Sequence, residues 1–147
     1  MGVEIYELLE VDDSLLVSVN RLLGQLSSSP VVFGMEQLEA LVSSSASHLF
    51  IAKCDGEVAG MLTLGEYLAP TGRKMWIEDV VVDEAARGRS IGRMLVEYAI
   101  SFSRKLGGGA LMLTSRPARV AANQLYRSCG FELKETNLYR MPIDGEV

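Results

Sequence analysis

Between Val80 and Leu95 the chain reads VVVDEAARGRSIGRML. The three valines suit a strand inside a sheet. From Ile91 onward, Met94, Leu95, Tyr98, Ala99, Phe102 and Leu106 recur at helical spacing, which predicts the strongest helix of the chain. The turn between them holds Arg87, Gly88, Arg89 and Ser90, and the first helical turn adds Gly92 and Arg93. A helix start carries unpaired backbone N–H groups and the positive end of a dipole. Glycine lets those donors approach a phosphate closely, and arginine matches phosphate oxygens. The turn therefore reads as a pyrophosphate cradle. A plain strand-to-helix turn with solvated arginines accounts for the same residues, and both readings stand at this point. The stretch is neither a GxxxxGK(S/T) loop nor the three-glycine dinucleotide fingerprint.

Upstream, VEIYELLE alternates as a first strand. DDSLLVSVNRLLGQLS puts Leu15, Leu16, Val19, Leu22, Leu23 and Leu26 at helical spacing, with Asp12 or Asp13 as its cap. GMEQLEALVSSS predicts a shorter helix, flanked by serine-rich connections. HLFIAKC and VAGMLTLGEYL are strands joined by the tight turn DGE. After the turn APTGRK, the strand MWIEDVVVD is apolar at nearly every position except Glu78 and Asp79. Downstream, GGG ends the strong helix and ALMLTS is a buried strand. RVAANQLYRSC is a short helix with Gly130 at its end. FELKE and NLYRMPI finish as a strand pair. The order is β-α-α-β-β-β-α-β-α-β-β. It describes one α/β domain over residues 1–147, with a mixed, mostly antiparallel sheet of about seven strands flanked by about four helices.

The bulk numbers bound the function. A chain of 147 residues suits one domain with one sizeable core. A formal net charge of −5 argues against a nucleic-acid partner, which needs a basic face. The two cysteines, Cys54 and Cys129, make neither a disulfide framework nor a metal knuckle and read as free thiols of a reducing cytoplasm. No metal site is read. The start MGVEIYELLE matches neither a signal peptide nor a myristoylation signal, and no apolar run is long enough to span a bilayer. The expectation is a cytoplasmic domain without a membrane partner.

A second motif lies in NQLYRSCGF, Asn123 to Phe131. Asn123 and Tyr126 sit one turn apart on the short helix and share a face. A phenol is a proton donor with a pKa of about 10, which suits the protonation of a thiolate. Core packing of Tyr126, with Gly130 as a simple helix stop, explains the segment as well.

Together the two stretches resemble one family. VVVDEAARGRSIGRML resembles the acetyl-CoA-binding motif of the GNAT superfamily of N-acetyltransferases, whose core is Arg/Gln-x-x-Gly-x-Gly/Ala. AANQLYRSCGF resembles that superfamily's following motif, NxxAxxLYxxxGF. Their separation, the ALMLTS strand between them and the order of elements fit as well. Two departures stand out. Ser90 takes a position that is usually glycine, where its hydroxyl is free to meet a phosphate or cap the helix. Asn123 sits later than the usual asparagine.

The resemblance implies direct transfer of an acetyl group from acetyl-CoA to a primary amine of a small molecule or peptide. It places Arg87, Gly88, Arg89, Ser90, Ile91, Gly92 and Arg93 around the pyrophosphate, and Asn123 beside the cofactor. The backbone of Val81 and Val82 would lie against the pantetheine arm like an added strand. Tyr126 becomes the acid for the departing thiolate. Glu78 and Asp79 are the candidate bases, and because successive strand residues face opposite ways only one of them meets a given substrate. Glu78 is preferred. Two other readings compete: an acyl-CoA-binding sensor without catalysis, kept open by Ser90, and a generic nucleotide-binding domain, which leaves LYRSCGF unexplained. Family members often dimerise, so the terminal pair ETNLYRMPI is a candidate homodimer interface. Acceptor recognition in the superfamily falls to segments that here are LGQLSSSPVVFGMEQ and GEYLAPTGRK. Glu66 and Tyr67 are candidates to meet an amine, and Arg73 or Lys74 a phosphate or carboxylate. His48 reads as surface or turn, Trp76 as core, and Cys129 is given no role.

Overall fold

Residues 2–27, 29 and 33–144 are described by a computed structural model. The chain divides into two compact units, Met1–Thr114 and Ser115–Val147. In the first, β1 (Val3–Glu7) leads into α1 (Asp13–Leu26) and α2 (Met35–Ser43). Next come β2 (Ser47–Cys54), β3 (Glu57–Ala69) and β4 (Gly72–Val82). A 3-10 turn, Glu84–Ala86, precedes α3 (Ile91–Lys105) and β5 (Ala110–Met112). The second unit holds α4 (Val120–Ser128).

Local chemistry sets the element ends. Asp12 caps α1 by accepting from the Leu15 N–H at 2.7 Å. Asp55 and Gly56 both take positive φ, 52° and 84°, the form of a two-residue type I′ hairpin between β2 and β3. Part of the predicted connection between α1 and α2, at Ser28 and Pro30 to Val32, lies outside the described residues.

The sheet has five strands in the order β1-β2-β3-β4-β5, antiparallel except for the β4–β5 pair. Helices α1 and α2 bring Leu15, Val19, Leu22 and Leu38 onto one face, against Leu49, Ile51, Met61 and Val81. On the other face Ile91 and Leu95 of α3 approach Gly60, and Tyr98 and Phe102 pack on Phe50. Leu22, Leu38 and Leu95 are fully buried, and each such side chain contributes about 2 kcal/mol. Ser103 lies on the buried stripe of α3 and satisfies its hydroxyl by donating to the Ala99 carbonyl at 2.8 Å.

Among the described residues the sheet has five strands rather than the expected seven. The element order ends at α4 rather than in a strand pair. FELKE and NLYRMPI have no ladder partner among the described residues, and Leu133, Leu138, Tyr139, Met141 and Ile143 stay exposed. Alternation makes a segment competent for a strand, but a hydrogen-bonded neighbour makes it one. β5 is also shorter than ALMLTS suggests. No helix of the described residues is long and apolar enough to cross a membrane.

Candidate functional site

The turn that opens the sequence reading leaves β4 at Asp83, whose N–H donates to the Ala59 carbonyl at 2.7 Å. The Asp83 carboxylate then caps the 3-10 turn by accepting from the Ala85 N–H at 3.1 Å. That bond, joined by Gln25 and Arg21 against the opposing effect of burial, holds the Asp83 carboxyl below its ordinary pKa. Arg87, Gly88, Arg89 and Ser90 follow as an exposed run, and Ile91 is buried again at 1% exposure, pinning the start of α3. The first N–H groups of a helix lack partners within the helix. Ser90 makes no side-chain capping bond to them, so the expected cap is not formed. Instead it adopts φ 61° and ψ 21°, the left-handed conformation that glycine favours. Arg89 donates to Cys54 Sγ at 3.2 Å, and Arg93 lies 3.6 Å from Glu97. A Cβ built on Gly88 would meet nothing within 4 Å, so the turn has room in front of it. Helix donors, guanidinium groups and open space together fit a phosphate group.

β4 supplies the second part. Its ladder with β5 ends at Trp76–Met112, and beyond Trp76 it pairs with β3 alone. Here the strand also carries a bulge. Met61 faces Val81 and Thr63 faces Glu78, so Leu62 alone spans Asp79 and Val80. Asp79 absorbs the extra residue with φ 51°. The consequence is a change of face. Before the bulge Ile77 shares the α3 side with its partner Leu64, whereas after it Val81 joins the α1–α2 core. The Val81 side chain is 5% exposed and therefore committed to packing, which leaves its backbone for any further contact. Glu78, opposite Thr63, reaches solvent beside the bulge. Partial burial, and next the Asp79 charge, nonetheless push its carboxyl pKa up. Glu78, Asp79, Val81, Val82 and residues 87–93 thus follow one another along one strand and the turn that leaves it.

Tyr126 and Asn123 belong to the second unit. α4 ends in a Schellman motif: the Gly130 N–H donates to the Arg127 carbonyl and the Phe131 N–H to the Tyr126 carbonyl, both at 3.0 Å. Gly130 takes φ 104°, which only glycine adopts freely. The motif brings Phe131 against Tyr126, ring centroids 6.2 Å apart, and so explains the YxxxGF spacing. Burial raises the Tyr126 pKa, with Cys129 adding and Arg119 opposing. The phenol keeps its proton at neutral pH. Asn123 donates to the Arg116 and Arg119 carbonyls at 2.9 and 2.8 Å, tying the preceding loop to the helix.

One expectation is corrected at the other end of β4. His48 is neither surface nor turn. It lies in β2 with a side chain 13% exposed, packed on Phe102. Its Nδ1 and Nε2 each meet a carboxylate oxygen at 2.6 Å, from Glu7 and Glu66 respectively. Arg73 donates to the second oxygen of that Glu66, also at 2.6 Å. Glu66 and Arg73, considered above for an acceptor, are therefore occupied with each other. Antiparallel pairing across β1, β2, β3 and β4 assembles this group, and no local pattern announces it. The α1 contacts to Asp83 were equally invisible, since Arg21 and Asp83 stand 62 residues apart.

A model of the acetyltransferase (GNAT) family matches residues 18–131. An uncharacterized N-acetyltransferase of Bacillus subtilis (strain 168), YhdJ, is 30% identical over 111 residues, 74% of this chain and 78% of that protein. Glucosamine 6-phosphate N-acetyltransferase 1 of Oryza sativa subsp. japonica is 29% identical over 126 residues, 80% of this chain and 74% of that protein. Among solved structures, an aminoglycoside acetyltransferase from an uncultured soil metagenomic sample aligns with a TM-score of 0.83 at 20% identity, covering 96% of this chain and 97% of that one.

Proposed function

The chain belongs to the acetyltransferase (GNAT) family and is an acyltransferase, and on that premise we propose that it moves an acetyl group from acetyl-CoA to a primary amine of a small molecule or peptide. One observation carries the reading. The bulged, half-unpaired end of β4 runs directly into an exposed turn and a helix N-terminus. In this reading the N–H groups of Gly88 through Arg93 hold the pyrophosphate, with Arg87, Arg89 and Arg93 adding charge. The backbone of Val81 and Val82 takes the pantetheine arm as an added strand. A backbone N–H there polarises the thioester carbonyl.

Glu78, directly or through one water, accepts a proton from the acceptor ammonium. The freed nitrogen lone pair forms the new C–N bond at the thioester carbonyl carbon. The C–S bond breaks as Tyr126 gives its proton to the departing thiolate, and the second proton still on the new amide nitrogen returns through solvent to the Tyr126 phenolate, leaving a neutral amide and a neutral thiol. Asp79 tunes Glu78 by its charge. Asn123 steadies the loop from Arg116 to Arg119 within the second unit. A small amino-sugar class of acceptor is supported by the name of the rice relative.

The second reading, an acyl-CoA-binding sensor without catalysis, is favoured by the strained Ser90 alone. Because Ser90 already adopts the glycine-like conformation, it leaves the backbone donors oriented as a glycine would. The two readings part in one experiment. Thermal unfolding with acetyl-CoA, and with desulfo-CoA and NADH as controls, should show a rise of several degrees for the coenzymes A only. Saturation at a hundred times Kd adds about 2.7 kcal/mol. A panel of amines followed by thiol release then distinguishes an enzyme from a sensor. Binding without any amine-dependent thiol release would favour the sensor, and no shift at millimolar acetyl-CoA would sink both.

A further inference from the structure

The cradle turn is not held by β4 and α3 alone. From α1, Arg21 Nε donates to Asp83 Oδ2 at 3.2 Å, and its terminal nitrogen donates to the Val58 carbonyl of β3 at 2.8 Å. One turn further along α1, Gln25 acts in both directions. Its amide nitrogen donates to Asp83 Oδ1 at 3.3 Å, and its oxygen accepts from the Glu84 N–H at 2.9 Å. Both oxygens of Asp83 are thereby engaged from α1, while Oδ1 also caps the turn through Ala85. The spacing of four residues puts Arg21 and Gln25 on one face of the helix. The neighbouring stripe of the helix is committed to the core through Leu15, Val19 and Leu22. An amphipathic helix thus presents two polar side chains to a single short turn.

That turn is the first part of the path from β4 to the residues read as phosphate-binding. Glu84–Ala86 is three residues long, and it delivers the chain to Gly88 and Ser90, both in positive-φ conformations. A turn this short has little hydrogen bonding of its own. Its geometry is fixed by what grips it. Misplacing backbone donors by a fraction of an ångström weakens an anion site, because its strength rests on several N–H groups converging on one point.

We propose that Arg21 and Gln25 on α1 are positioning residues for the phosphate cradle, fixing through Asp83 and Glu84 the turn that aims its backbone donors at acetyl-CoA. The inference rests on the reading of residues 87–93 as the cradle. It assigns α1 a part in coenzyme binding in addition to its part in the core. Both side chains are spent on Asp83, Glu84 and Val58, so their effect falls on affinity and on the KM for acetyl-CoA rather than on the chemical step.

The test is calorimetric titration of desulfo-CoA into the full chain, together with steady-state kinetics. Loss of hydrogen bonds to a charged group should weaken binding about tenfold in Gln25→Ala, with the KM for acetyl-CoA raised in step and kcat held within about a factor of two. Arg21→Ala, at a side chain 44% exposed, should act in the same direction, with its unfolding midpoint measured alongside. Adding Gln25→Ala to Asp83→Ala should weaken binding by less than Gln25→Ala does alone, because only the contact to the Glu84 N–H is then left to lose. Gly24→Ala serves as the control on the same helix. Its added Cβ meets nothing within 4 Å, and affinity should not change. If the wild-type chain binds desulfo-CoA and both α1 variants bind it equally well, the positioning role is wrong while the cradle stands. If the wild-type chain does not bind it, the cradle reading falls and takes this inference with it.

Discussion

The two ends of β4 use polar side chains in opposite ways. At its start, Arg73, Glu66, His48 and Glu7 follow one another in a chain of contacts, each at 2.6 Å. Two carboxylates are matched there by a guanidinium and an imidazole, beneath the aromatic ring of Phe102. At its far end the strand bulges at Asp79, loses its β5 partner and runs into an exposed turn with arginines and helix N–H groups. The same strand thus carries one polar group that is complete and one that is left open. A partly buried polar cluster costs stability unless its members satisfy one another. An open one is retained where a ligand is to complete it. The lesson is that charge in a sequence does not by itself identify a site.

Four substitutions would break or sharpen this contrast. The largest effect is expected at the closed end. His48→Ala leaves Glu7 and Glu66 without the ring between them and should cost about 3 kcal/mol in denaturant unfolding. Affinity for acetyl-CoA in the folded protein should not move. A variant as stable as the wild type would show that the cluster is decoration. Next is Glu78→Gln at the open end, expected to lower kcat about 100-fold while stability stays within about 0.5 kcal/mol. The pH profile gives the same residue a second signature. A base works only when unprotonated, and burial together with Asp79 raises the Glu78 pKa. Activity should therefore fall on the acid side through a limb that lies above the ordinary carboxylate value. In Glu78→Gln that limb should vanish.

Asp79→Asn probes the bulge more gently. Asparagine tolerates the left-handed backbone, so the bulge should persist. The neighbouring charge is gone, and the acid limb of Glu78 should move down toward the ordinary carboxylate value. An unmoved limb would mean that burial alone sets it. The smallest effect belongs to Ser90→Gly. A left-handed serine carries a conformational cost, partly offset by the greater freedom of glycine in the unfolded chain. The net gain should be about 0.5 kcal/mol by chemical denaturation, with acetyl-CoA affinity unchanged. A drop in affinity would reveal that the Ser90 hydroxyl itself meets the phosphate.

What the amino-acid order determined by itself was local. Asp12 announces the start of α1, Asp55–Gly56 the hairpin, the period of Ile91, Leu95 and Ala99 the buried face of α3, and Gly130–Phe131 the end of α4. Each of these is settled within a few residues by backbone sterics, side-chain capping or helical period, so each is legible along the chain. The two motifs that resemble the family are of this kind. The tertiary structure alone decided what depends on distant partners. The bulge at Asp79 exists only relative to the register of β3, and that register moves Val81 into the α1–α2 core. His48 is a lone histidine in sequence and a bridge between two carboxylates in space. Arg21 and Gln25 look like a solvated helix face until Asp83 arrives beside them. The same dependence explains why FELKE and NLYRMPI, well patterned as strands, are not strands among the described residues. Local preference proposes a conformation, whereas strand pairing and charge pairing need a second segment that the local sequence does not contain.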